Sequence, residues 1–158
     1  MEKTATAAKV KSAPAKKAPT ASVKDVRYIE SVGRRKTAVA RVRYYATEEK
    51  LLDNSGIRVN GKEYKVYFPV ASYRSSLVAP LKTLKFEDGF IDIKIVGGGM
   101  MSQAEAASLG ISRVLVKSDE GYRKILRAGG HLTRDARKVE RKKPGKTKAR
   151  RGHQWRKR

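Results

Sequence analysis

The chain has 158 residues, 38 of them Lys or Arg and 15 Asp or Glu, for a formal net charge of +23. That balance argues against a secreted enzyme or a membrane protein, and the absence of cysteine removes disulfide frameworks, thiolate zinc sites and cysteine nucleophiles. The length allows one domain of roughly 100 to 150 residues, and so large an excess of like charge calls for a polyanion: nucleic acid first, an anionic membrane surface second. No stretch approaches the ~18 apolar residues of a spanning helix, and the N-terminus lacks the apolar core of a secretory signal, so a soluble, non-exported protein is expected.

The charge is unevenly spread. Residues 1–26 hold Lys3, Lys9, Lys11, Lys16, Lys17 and Lys24 among Ala, Thr, Ser and Pro, with no aromatic residue. Such a segment cannot bury a core and reads as a disordered basic extension rather than a cleaved, Arg-rich presequence. Residues 27–128 carry 19 basic and 11 acidic side chains, net +8, with nearly all the large apolar residues, and form the expected globular body. Residues 129–158 carry 13 basic and 2 acidic side chains, net +11, with Leu132, Val139 and Trp155 as the only large apolar residues. This tail cannot offset its own conformational entropy and is expected to order only on a partner.

Within the body, alternation across Tyr28–Val32 and Thr37–Tyr45 predicts two strands with a bend at Gly33–Lys36. Ala38, Ala40, Val42 and Tyr44 then share one face, and Thr37, Arg41 and Arg43 the other. A third strand at Ile57–Val59 ends at Asn60-Gly61, a pair that tolerates the positive φ of a tight turn. Tyr64, Tyr67 and Phe68 fit one helical turn halted by Pro69, and Tyr73, Leu77 and Val78 fit another that stops near Pro80. Ile91, Ile93 and Ile95 alternate with Asp92 and Lys94 in a half-buried strand that runs into Gly97-Gly98-Gly99.

Ser102 followed by Glu105 reads as a capping box that opens a helix. Its apolar stripe is Ala104, Ala107, Ile111, Val114 and Leu115, with Gly110 where a bare backbone can approach the sheet. A second helix is expected to open at Ser118, to carry Asp119 and Glu120 at its positive end, and to finish at Gly129-Gly130. The sum is an α/β (α+β) single domain, one sheet with helices mainly on one face.

The triple glycine lacks the G-x-x-x-x-G-K-[ST] spacing of a nucleotide loop and reads as a tight strand-to-helix turn able to touch a phosphate. His131 and His153 are the only histidines and lie in the charged tail, suited to polar contact with a partner rather than to catalysis or metal binding. No enzyme activity, metal or cofactor is expected. Arg34, Arg35 and Lys36 at the bend, with Arg41 and Arg43 on one strand face, make a basic surface suited to phosphate contacts. The tail basic residues Arg134, Arg137, Lys138, Arg141, Lys142, Lys143, Lys146, Lys148, Arg150 and Arg151 extend it, mixing the Arg fork with Lys point charges. Trp155, beside Arg156 and Lys157, is placed either to stack on a base or ribose or to remain free without a specific contact.

The run Val32-Gly33-Arg34-Arg35-Lys36-Thr37-Ala38-Val39-Ala40-Arg41-Val42, the Gly97-Gly98-Gly99, Gln103-Ala104 and Gly110-Ile111 motifs, and Leu132-Thr133-Arg134-Asp135-Ala136-Arg137-Lys138-Val139-Glu140-Arg141-Lys142-Lys143 together resemble the small ribosomal subunit protein nine family, universal and bacterial-type. The resemblance spans about residues 27–158. It implies an α/β body in the head of the small subunit, a β-α-β crossover of left hand against the usual rule, and a tail that reaches transfer RNA in the peptidyl site. Carried over residue by residue, Arg34, Arg35, Lys36, Arg41, Arg43 and the 134–151 basic residues are ribosomal RNA contacts, and Lys157 and Arg158 are transfer RNA contacts. Small-subunit ribosomal RNA, peptidyl-site transfer RNA and neighbouring head proteins are the implied partners, on a cytoplasmic ribosome and without a membrane. A subunit of another, non-ribosomal ribonucleoprotein is the alternative. Three positions depart from the family pattern: Ser102 stands where Gly is usual, Ala107-Ser108 where basic or polar residues are common, and Trp155-Arg156 where a smaller aromatic and Ser are usual.

Overall fold

The computed structural model describes residues 28–50, 56–86 and 88–157. The expected extension at 1–26 and the terminal Arg158 lie outside them. The elements run β1 (Tyr28–Arg35), β2 (Ala38–Lys50), β3 (Ile57–Val59), β4 (Lys62–Glu63), α1 (Tyr64–Tyr67), α2 (Ala71–Leu84), β5 (Asp88–Val96), α3 (Met100–Ser118) and α4 (Tyr122–Ala128). Among the described residues the strands form one open five-stranded sheet in the order β1-β2-β5-β3-β4. All its pairings are antiparallel except β3 with β5, which run parallel and are joined through β4, α1 and α2. No helix among the described residues is long and apolar enough to cross a membrane.

Period-two alternation decides which face is covered. Ala38, Ala40, Val42 and Tyr44 of β2, Ile57 and Val59 of β3, and Ile91, Ile93 and Ile95 of β5 are buried under the helices. Leu77, Val78 and Leu81 of α2, Leu126 of α4 and the predicted stripe of α3 complete one core. Each large side chain removed from water in this way contributes about 1.5–3 kcal/mol. The contact between α3 and β1 is made of small residues. A Cβ added to Gly33 would lie 1.9 Å from the Ala106 carbonyl oxygen and 2.5 Å from the Gly110 nitrogen, so the two backbones touch. Ser31 Oγ donates to the Gly110 carbonyl at 2.6 Å and fixes the register of helix on strand.

Asn60 joins β3 to β5 beyond the last paired residue. With Asn60 and Gly61 at φ 50° and 78°, the chain reverses into β4. The Asn60 side-chain amide then accepts from the Ile95 N–H at 2.8 Å and donates to the Ile95 carbonyl at 3.1 Å, standing in for a strand residue.

Four local expectations are corrected. The bend falls at Lys36–Thr37, with Lys36 at φ 50°, so Gly33, Arg34 and Arg35 belong to β1. Ser102 is buried in the first turn of α3 instead of capping it. The helix begins at Met100 behind Gly99, which makes no side-chain cap, because the glycine turn already delivers the chain in helical direction. Ser118 ends α3 rather than opening α4. Asp119 Oδ1 accepts from the Gly121 N–H at 2.9 Å in a turn between the two helices. Finally, α2 runs through Pro80 to Leu84, since Pro80 and Leu81 are buried in the core and that packing outweighs the single helical bond missing at Pro80.

Candidate nucleic-acid interface

The face of the sheet turned away from the helices carries cations and aromatic rings in rows. Tyr28, Tyr45 and Phe90 are cross-strand neighbours, with ring centroids 5.7 Å and 5.9 Å apart. Arg43 lies over the Tyr28 ring at 4.7 Å and Arg58 over Phe90 at 5.2 Å, each gaining from the negative face of the ring. In the adjacent rows Glu30 pairs with Arg43, Arg43 with Asp92, Asp92 with Arg58, and Arg41 with Lys94.

Glu30 is the local counter-ion. It accepts from Arg41 at 2.9 Å and from Arg43 at 3.1 Å, and these hydrogen bonds, Arg41's first, lower its carboxyl pKa below the ordinary value. One carboxylate thus serves two guanidinium groups, and the Arg41 side chain keeps 58% of its surface exposed. Arg41 and Arg43 are the cations expected to contact RNA on this face; Arg58 and Lys94, not among those expected contacts, join them. Lys94 follows from its alternation with Ile93 and Ile95, noted above, and the signal that could have found Arg58 is its place between Ile57 and Val59.

At the hairpin tip the expected cluster divides. Arg34 and Lys36 are exposed, whereas Arg35, expected at the RNA surface, is engaged within the protein, its side chain only 13% exposed. Its Nε donates to Glu105 Oε2 at 2.6 Å, Nη2 pairs with Asp135 Oδ2 at 2.9 Å, and Nη1 donates to the carbonyls of Asp135 and Arg137. The hairpin, α3 and the start of the tail therefore meet at one guanidinium. Arg137 also wraps Asp135, and its side-chain hydrogen bonds hold that carboxyl well below the usual carboxylate range, with its backbone N–H and the Arg35 charge adding to the effect.

The tail is anchored at its start and open beyond. α4 closes with Gly130 at φ 73°, the His131 N–H donating to the Leu126 carbonyl and the Gly130 N–H to that of Arg127, a hydrogen-bonded reversal that needs a left-handed residue. His131 Nε2 lies 3.1 Å from Thr83 Oγ1, and Leu132 packs against the core. From Lys138 to Lys157 nearly every residue is exposed. Glu140 pairs with Lys143 and Arg150. Among the described residues no carboxylate pairs with Arg134, Lys138, Arg141, Lys142, Lys146, Lys148, Arg151 or Lys157. His153 and Trp155 are exposed with them, Trp155 almost completely.

A family model described as ribosomal protein S9/S16 matches residues 33–158, which takes in the hairpin tip, the glycine turn and the entire tail. The chain belongs to this family. Similar proteins include the small ribosomal subunit protein uS9 of Desulfovibrio desulfuricans, 44% identical over 127 residues that cover 80% of this chain and 93% of that protein. The uS9 of Maridesulfovibrio salexigens is 46% identical over 137 residues, 85% of this chain and 98% of its own length. The small ribosomal subunit protein uS9m of Arabidopsis thaliana is 48% identical over 128 residues, 80% of this chain but 28% of that longer protein. The S9/S16 family is a structural, non-enzymatic ribosomal one, and general RNA binding is its property. The match thus continues through a segment that buries almost nothing within the protein itself.

Proposed function

We propose that this S9/S16 protein is a structural constituent of the small ribosomal subunit of the cytoplasm, bound to ribosomal RNA and neighbouring proteins in the subunit head, with its tail tip on peptidyl-site transfer RNA. The observation that carries the reading is the run of exposed tail cations without carboxylate partners among the described residues, in a chain of net charge +23 whose family match includes that whole tail. Phosphate is the counter-charge such a run requires. Arg34, Lys36, Arg41, Arg43 and the 134–151 basic residues contact ribosomal RNA in this reading, while Arg35 holds the tail root in position. Lys157 and Arg158 contact the transfer RNA. The parallel β3–β5 pairing supports the expected β-α-β crossover, and its left hand belongs to the same proposal.

Sedimentation of cell extract tests it. The protein is expected to migrate with small ribosomal subunits and to remain there through a moderate salt wash. Recovery in the soluble fraction, or on a different ribonucleoprotein, would overturn the reading.

A further inference from the structure

A second cationic surface lies on the opposite side of β1 from the aromatic rows. On α3, Arg113 and Lys117 stand one turn apart and reach the strand: Arg113 Nη1 donates to the Val32 carbonyl at 2.7 Å and Lys117 Nζ to the Glu30 carbonyl at 2.8 Å. On α4, Arg123 and Arg127 repeat the same spacing. These four cations line an open cleft of about 650 Å³, together with Val116, Leu132 and Thr133 at the point where the tail leaves the body.

No carboxylate among the described residues lines the cleft. The carbonyls on Arg113 and Lys117 take up donors without cancelling charge, and each cation retains further N–H groups. The one carboxylate paired with any of the four among the described residues is Glu120, which meets Arg123 at 3.0 Å from an exposed position one turn earlier. Structural ion-pair networks bring both signs together. Here one sign is gathered in a concavity, which concentrates its potential.

We propose that this cleft seats the sugar-phosphate backbone of a ribosomal RNA strand, giving the body an RNA contact on its helical side, separate from both the sheet face and the tail. The proposal rests on the ribosomal reading above. Three of the four cations are Arg, whose planar fork takes two phosphate oxygens at once, and the Thr133 hydroxyl can add a neutral hydrogen bond. Val116 and Leu132 offer an apolar floor between the charges. The lining ends at Thr133, and the next residue, Arg134, is the first of the tail cations without a carboxylate partner among the described residues, so the cleft and the tail cations adjoin along the chain.

The full chain lacks cysteine, which makes a directed probe simple. An iron chelate tethered at Lys124→Cys, on exposed α4 beside Arg123, is compared with one tethered at Lys148→Cys in the tail, both bound to purified small-subunit ribosomal RNA. The expected result is hydroxyl-radical cleavage from each position, at different RNA segments. Cleavage from the tail alone would overturn the cleft while leaving the ribosomal reading intact; cleavage from neither would overturn both. In assembled subunits, crosslinking of Lys124→Cys to a neighbouring protein without RNA cleavage would also overturn it. A second arm replaces Lys117, Arg123 and Arg127 by Gln. The slope of log affinity against log salt is expected to fall by about 2 and affinity by about ten-fold. Gln at Lys62, Lys65 and Lys82 removes equal charge elsewhere and should change neither by more than about two-fold. Matching behaviour of the two triple variants would sink the proposal.

Discussion

Arg35→Ala would remove, in one step, the bond to Glu105, the ion pair with Asp135 and the donors to two tail carbonyls. Glu105 would be left without its guanidinium and Asp135 would keep only that of Arg137, at a cost of about 1–2 kcal/mol in global stability, measurable by urea unfolding. Amide exchange is expected to show the local effect more sharply, with the His131 N–H losing protection as the tail root detaches. The same clamp gives a signed pH dependence. Asp135 has its carboxyl lowered from 3.8 by hydrogen bonds from Arg137, and by the charge of Arg35, so it binds protons less readily folded than unfolded. Its contribution is complete above the unfolded value and disappears only as pH falls through the lower folded one. Docking of the tail root should therefore survive at pH 4, where a free Asp is about half protonated. A carbon-detected titration of Asp135 with a midpoint at the ordinary value would contradict this. Lys in place of Arg35 should restore little, because one ammonium cannot face Glu105, Asp135 and two carbonyls in a plane.

The α3–β1 contact makes the corresponding prediction for an element. Because a Cβ on Gly33 would meet backbone atoms of Ala106 and Gly110, nothing flexible can yield, and Gly33→Ala must displace the helix. A loss of about 3 kcal/mol or more is expected in thermal or urea unfolding, against little effect for Gly99→Ala, where an added Cβ meets open space. Gly33 also shows why some of this fold is legible in the sequence and some is not. The strands follow from Ile91, Ile93 and Ile95, and from Ala38 to Tyr44, since burial of one sheet face imposes period two. The α3 stripe and the role of Gly110 follow from helical spacing. Gly33, however, reads as a bend because glycine serves turns and close approaches alike, and only the helix lying over it separates the two. Ser102 and Glu105 match a capping pattern, yet the three glycines set the helix start upstream. Pro80 reads as a stop because the packing that offsets its missing hydrogen bond comes from elements distant in sequence.

At the scale of the molecule, charge that is legible as composition becomes a division of labour only through the fold. The basic turn and tail are identifiable from the run of Arg and Lys, but the withdrawal of Arg35 depends on Glu105 and Asp135, separated from it by 70 and 100 positions. The body and the root of the tail hold the fixed geometry, including the clamp, and in the proposed reading the body and Arg134 to Arg151 supply most of the ribosomal RNA contacts. The piece from Pro144 onward is exposed at nearly every described position. An extended chain advances at most roughly 3.3 to 3.6 Å per residue, so Pro144 to Arg158 reaches about 50 Å, enough to carry a tip beyond the surface on which the body docks. Removing Lys157 and Arg158 should then leave incorporation into the small subunit near normal, because the core, the clamp and the sheet face are built from other residues. Peptidyl-site transfer RNA should bind more weakly, each exposed charge interaction removed costing on the order of 1 kcal/mol. The measurement is transfer RNA affinity on purified subunits beside the occupancy of the shortened protein. Unchanged affinity at full occupancy would remove the tip from decoding, and reduced occupancy would assign Lys157 and Arg158 to assembly instead.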